Sequence, residues 1–292
     1  MFDGFQTFDL AINGVNIHGV TAGNGPPLLL LHGYPQSHLI WHRVAPLLSK
    51  HYTVVATDLR GYGHSGKPAG GANHEGYSKR NMASDQVGVM RALGHETFFL
   101  CGHDRGGRVA HRLAMDSPHA VKRLMTLDIS PTLAMVEQTD ATFSKAYWWW
   151  SFLIQTTPFP EQMILANPEV FLRKKIGWGH AGLSCFTAET YAAYLSFMSD
   201  PATVHAMCED YRAAVGIDLE HDRADRLIGD RLTMPLRVLW GEFAVINRCF
   251  QPLADWQAVA TTVSGQTLPC GHYLPEEAPD ELLTEMCAFF ID

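Results

Sequence analysis

The chain has 292 residues, 47% of them hydrophobic and 18% charged, with a formal net charge of −8. This length and balance suit one large α/β domain, or one such domain carrying an insertion. The acidic balance, with no basic cluster, argues against nucleic acid as a partner, and no run approaches the roughly 18 apolar residues of a membrane span. The six cysteines form no C-x-x-C pair and Met1-Phe2-Asp3-Gly4 opens no signal peptide, so free thiols in a reducing, cytoplasmic setting are expected.

Phe5 to Ile12 and Val15 to Val20 alternate apolar and polar residues on either side of Asn13-Gly14, which predicts a hairpin. Leu28 to Leu31 is too short for a helix and reads as a strand buried on both faces, running into His32-Gly33-Tyr34-Pro35. Helical spacing follows from Trp41 to Leu48. A second buried strand, Tyr52 to Ala56, ends in Asp58-Leu59-Arg60-Gly61-Tyr62-Gly63, a loop in which Asp58 reads as structural. Lys67 to Gly76 is rich in Gly and Pro and predicts a surface loop. Met82 to Leu93 predicts a helix stopped by Gly94.

Thr97 to Cys101 is the next apolar run. It enters Gly102-His103-Asp104-Arg105-Gly106-Gly107-Arg108, and a helical pattern leaves it as far as Met115. Strand, Gly-flanked turn and helix are the context of a nucleophile elbow, with Asp104 where serine esterases carry Ser. A carboxylate is already ionised at neutral pH, so it needs no base to become a nucleophile. The active-site His is then free to activate water. That suits displacement at a saturated carbon followed by hydrolysis of the resulting ester.

Leu124 to Leu127 predicts a further strand with Asp128 at its tip. From there the alternation gives way to helical, aromatic-rich sequence, which reads as an inserted helical cap over residues 132–220 between two parts of one core, 1–131 and 221–292. The α/β pattern resumes at Leu236 to Gly241, with a helix near Leu253 to Val259, a strand over Thr262 to Leu268, and a final helix from Pro279. Strands alternating with helices imply a mostly parallel, doubly wound sheet whose sites lie at the carboxyl ends of its strands. His272, in a late loop after Gly271, stands where a base belongs in the order nucleophile, acid, histidine. The strand ending at Trp240-Gly241 is followed by Glu242-Phe243-Ala244 and offers no Asp, so elimination favours Asp128 as the acid, with Glu242 second.

The His32-Gly33-Tyr34-Pro35 and Gly102-to-Gly107 runs resemble the α/β-hydrolase branch of epoxide hydrolases and dehalogenases. Within it the chain is most similar to the fluoroacetate (haloacetate) dehalogenases, through Ala56 to Gly63, Gly102 to Arg112, Leu127-Asp128-Ile129 and Cys208-Glu209-Asp210-Tyr211-Arg212-Ala213. The resemblance implies Asp104 as nucleophile and Asp128 with His272 as the water-activating pair. It implies that Arg105 and Arg108 hold a substrate carboxylate, and that the backbone N–H groups of Tyr34 and Arg105 form the oxyanion hole. It also implies a homodimer acting on a small anionic substrate with water, without a cofactor or a metal. Arg105 and Arg108 are three apart at a helix N-terminus, where the dipole disfavours cations, so their placement there independently suggests function.

The family's halide pocket has a His, a Trp and a Tyr. Here the matching residues are Trp149, Trp150 and Tyr211, so a neutral indole replaces the His, and chloride or bromide is expected to leave better than fluoride. An epoxide hydrolase, using cap tyrosines to protonate the opening oxygen, is the alternative enzyme. A non-catalytic ligand-binding homologue is the alternative outside catalysis.

Overall fold

The computed structural model describes residues 1–291. Eight strands form one sheet: β1 (Gln6–Ile12), β2 (Val15–Ala22), β3 (Pro27–Leu31), β4 (Thr53–Thr57), β5 (Phe98–His103), β6 (Val121–Leu127), β7 (Leu236–Gly241) and β8 (Val263–Leu268). Their order is β1-β2-β4-β3-β5-β6-β7-β8. The β1–β2 hairpin turns at Asn13 and Gly14, both at positive φ, and β2 also runs antiparallel to β4. From β4 to β8 every pairing is parallel.

The leucines of β3 explain why a four-residue apolar run lies at the centre. Leu29 and Leu31 pack into the core on one face with Met82, Val89, Val109 and Leu113, from helices Lys79–Ala92 and Arg105–Asp116. Leu28 and Leu30 pack into the other with Leu48, Leu282 and Met286, from helices Ala45–Leu48 and Pro279–Phe289. Each such side chain contributes about 1.5–3 kcal/mol on burial. The helical spacing from Trp41 to Leu48 becomes a 3-10 turn, His38–Trp41, and a short helix, Ala45–Leu48. Pro46 has no N–H to donate and is tolerated only in a first turn, so the helix begins at its doorstep.

Between β6 and β7 the chain is helical: Thr132–Glu137, Ala141–Ala146, Trp148–Leu153, Phe159–Ala166, Pro168–Ile176, Ala188–Met198, Pro201–Val215 and Ile217–Ile228. Four of these start with a side-chain cap, in which Asp140, Asn167, Thr187 and Asp200 each accept a backbone N–H three residues on. The last helix runs on past residue 220 and stops at Gly229, φ 73. None of the described helices is long and apolar enough to cross a membrane.

Candidate active site

Asp104 links β5 to helix Arg105–Asp116 with φ 49 and ψ −115, a backbone region that L side chains rarely occupy. Two glycines make the turn possible. A Cβ on Gly106 would run into the carbonyls of Leu31 and His32, and one on Gly33 would lie 2.5 Å from the Asp104 Cβ. The tips of β3 and β5 therefore meet at bare backbone. Across that contact the Tyr34 N–H donates to Asp104 Oδ1 at 2.9 Å. Among the described residues only this half of the expected oxyanion pair is made; the Arg105 N–H shows no bond to that oxygen.

The other carboxylate oxygen, Oδ2, lies 3.7 Å from His272 Nε2. His272 donates through Nδ1 to Asp128 Oδ2 at 2.5 Å, which leaves Nε2 without a partner and turned toward the nucleophile. The Gly241 N–H holds Asp128 Oδ1 at 3.0 Å, so the tip of β7 orients the acid while β6 carries it. Asp128 is itself at φ 52. Glu242 is exposed, and among the described residues it is Asp128 that bonds His272 Nδ1. Asp58, as its loop suggested, is spent on structure, accepting the backbone N–H groups of His38 and His64.

Burial acts on all three groups and decides the direction for two of them. It pushes the His272 imidazole down to about 4, so the ring is neutral and available as a base. It pushes Asp128 up, opposed by the Gly241 hydrogen bond. Burial would raise Asp104 as well, but the charges of His272, His103, Lys175 and Arg108 overrule it and hold the carboxyl well below the usual range.

The two arginines differ. Arg105 gives Nε (2.8 Å) and Nη2 (2.6 Å) to the Asp210 carboxylate and lies over the Tyr211 ring at 4.3 Å. Asp210 also takes Tyr62 and Lys79, so it is a buried junction of charges. This corrects the expectation of two free guanidinium forks. Arg105 is the strut that docks helix Pro201–Val215 onto the elbow, with only its remaining edge to offer. Arg108 is buried without a carboxylate partner among the described residues: Nη1 meets Thr132 Oγ1 at 2.9 Å, Nη2 meets Met135 Sδ at 3.1 Å, and Nε is unpartnered. Burial and the neighbouring Arg105 charge lower its pKa to about 10, so it stays a cation.

Residues 26–216 match the family model described as the alpha/beta hydrolase fold. The chain is 43% identical to a fluoroacetate dehalogenase of Burkholderia sp, over 100% of this chain and 96% of that protein. It is 34% identical to a soluble epoxide hydrolase of Corynebacterium sp., over 96% and 95%. A solved α/β-hydrolase structure from Nostoc sp PCC 7120 superposes with a TM-score of 0.96 at 53% identity, covering 99% of each chain. The chain belongs to the α/β-hydrolase family, on its dehalogenase and epoxide hydrolase branch.

In this α/β-hydrolase the three expected pocket aromatics lie close together. Trp150 stacks against Arg108 at 5.0 Å, and its indole N–H is buried without a partner. The Trp149 side chain is a neighbour of the Tyr211 hydroxyl, and its ring lies against Tyr147, 4.5 Å between centroids. Trp148 packs on Phe171 and lines the cavity that leads to His272. Tyr147, one of the cap tyrosines open to an epoxide hydrolase, has its hydroxyl 3.4 Å from His272 Nδ1; sequence reasoning missed Lys175, buried beside Asp104. Lys175 follows Leu172 by three residues and precedes Ile176, both buried, so the helical period was a signal for it. A surface cavity of about 910 Å³ leads to His272 past Lys145, Lys174, His180 and Arg248. No lining residue is acidic.

Proposed function

We propose that this α/β-hydrolase removes the halogen from a small 2-halocarboxylic acid, giving the hydroxy acid through an ester of Asp104. The observation that carries this reading is Arg108, a buried guanidinium beside the nucleophile with no carboxylate of its own. A buried lone cation is costly unless an anion joins it, and a guanidinium fork matches a carboxylate. The substrate carboxylate sits on Arg108, with the free edge of Arg105 beside it. Asp104 Oδ2 then attacks the carbon bearing the halogen; the carbon–oxygen bond forms as the carbon–halogen bond breaks, its electron pair leaving with the halide. Oδ1 stays as the ester carbonyl against the Tyr34 N–H. Water, deprotonated by His272 Nε2, adds to that carbonyl, and the Tyr34 N–H and helix N-terminus stabilise the oxyanion. Asp128 holds the imidazole and balances its charge. Collapse releases the hydroxy acid and restores the carboxylate, for a net yield of halide and one proton.

In this reading the helices between β6 and β7 form a cap over the site, and Trp149, Trp150 and Tyr211 receive the leaving halide. Their N–H and O–H donors are neutral. Fluoride needs short, charge-assisted donors, so chloride and bromide are the better leaving groups here. The unpaired cysteines fit a cytoplasmic enzyme, and the family resemblance implies a homodimer.

Epoxide hydrolysis is the second reading, favoured by the buried hydroxyls of Tyr147 and Tyr211 near His272 and Asp104. One assay separates the two: halide release from fluoro-, chloro- and bromoacetate alongside diol formation from styrene oxide. Chloroacetate and bromoacetate turnover without diol is expected. Diol formation without halide release would replace the dehalogenase reading, and fluoroacetate turnover equal to that of chloroacetate would overturn the halogen preference alone.

A further inference from the structure

Lys175, on helix Pro168–Ile176, is about 1% exposed. Its ammonium donates to the Tyr273 hydroxyl at 3.0 Å and otherwise faces aromatic rings, with Trp149 at 4.1 Å, Tyr273 at 5.4 Å and Tyr34 at 5.5 Å from Nζ to centroid. No carboxylate among the described residues pairs with it. Such a cage holds a cation by its ring quadrupoles but does not neutralise it. Burial lowers its pKa to about 8, while the nearby Asp104 charge works the other way. The ammonium is therefore a second uncompensated cation beside the nucleophile, on the face of the tryptophan that replaces the family's pocket histidine.

Charge conservation gives it a task. Before reaction, Asp104 and the substrate carboxylate balance Lys175 and Arg108. When the Asp104 oxygen bonds to carbon, its negative charge disappears into a neutral ester and reappears on the halide. Arg108 keeps the substrate carboxylate, so Lys175 is left facing a neutral ester unless the halide stays near it. We infer that Lys175, caged by Tyr34, Trp149 and Tyr273 beside Asp104, is the cation that stabilises the departing halide and holds it until release. This rests on the haloacid reading and adds one charged group to the neutral trio of Trp149, Trp150 and Tyr211, which lessens the disadvantage of fluoride without removing it. Fluoride, the halide most dependent on such a donor, depends on Lys175 most.

The test is bromide affinity, read by quenching of tryptophan fluorescence at neutral pH, in the wild type, Lys175→Met and Lys175→Arg. Lys175→Met removes a buried charge and keeps the length of the stem, and its circular dichroism and melting curve verify folding. Bromide binding at least tenfold weaker in Lys175→Met, with substantial recovery in Lys175→Arg, is expected. Rapid-quench measurement of the first turnover should show slower ester formation from bromoacetate, and fluoroacetate turnover should fall further than bromoacetate turnover. Unchanged bromide affinity and unchanged ester formation in a folded Lys175→Met protein would overturn the inference while leaving the haloacid reading in place. Absence of halide release from every haloacetate by the wild type would instead remove that reading, and the bromide titration would still decide whether Lys175 binds the anion.

Discussion

Arg108 is the residue on which substrate choice turns. Its guanidinium is already oriented by Thr132 and Met135 and stacked on Trp150, so the fork is in place before any anion arrives. Arg108→Lys keeps the charge and loses the planar pair of donors. Haloacetate kcat/KM should fall at least about tenfold, equivalent to roughly 1.4 kcal/mol of transition-state binding. Haloacetamide, which lacks the charge, should be a poor substrate for the wild type, and steady-state kinetics on acid and amide checks both. His272 sets the acid limb of activity. Burial lowers it to about 4, and esterification removes the Asp104 charge that had favoured its protonated form. Ester hydrolysis should therefore hold its rate as pH falls from 7 to 5 and decline only as the imidazole protonates below that. Between the ordinary histidine value of 6.5 and about 4 the unfolded chain binds the extra proton, so His272 takes stability away as pH falls through that window. Single-turnover hydrolysis across this range is the check; a midpoint near 6.5 would mean a solvated His272.

At the scale of elements, two strand tips and one inserted helix assemble the site. The contact that fixes the helix is Arg105 to Asp210. Asp210→Asn would leave Arg105 and Lys79 buried against a neutral amide, at a cost of about 3–5 kcal/mol. Denaturant unfolding should show that loss, and kcat should drop as Tyr211 moves with its helix. The elbow, Asp104, His272 and Asp128 were legible in the sequence because each is written locally, as a glycine-flanked turn or an acid or histidine at the end of an apolar run. Arg105 was read as a free fork because its partner lies 105 residues away and only the folded chain brings the two together. Lys175 stands in Arg173-Lys174-Lys175, where nothing in the run itself sets it apart from its two cationic neighbours. Only its position between Leu172 and Ile176 betrays the buried face. The Trp149 substitution was visible, but the setting of its ring between Tyr147 and Lys175 was not, because a ring's orientation depends on the neighbours packed around it.

The whole molecule carries a net charge of −8, yet the mouth above His272 is lined by Lys145, Lys174 and Arg248 without an acid. An acidic body repels an anionic substrate and this local positive field draws it in, a contribution to capture that salt screens. Converting all three residues to Gln should lower kcat/KM for haloacetate severalfold at low ionic strength. It should flatten the salt dependence and leave kcat unchanged; a wild-type kcat/KM insensitive to salt would remove the steering role. Capture, alkylation and hydrolysis all converge on a covalent bond to one oxygen of Asp104. His272→Asn leaves that carboxylate able to attack and deprives the water of its base. Mass spectrometry of His272→Asn after exposure to bromoacetate is the most direct measurement. A carboxymethyl group on the peptide carrying Asp104 is the predicted result; an unmodified peptide, or a carboxymethyl group on another residue, would contradict it.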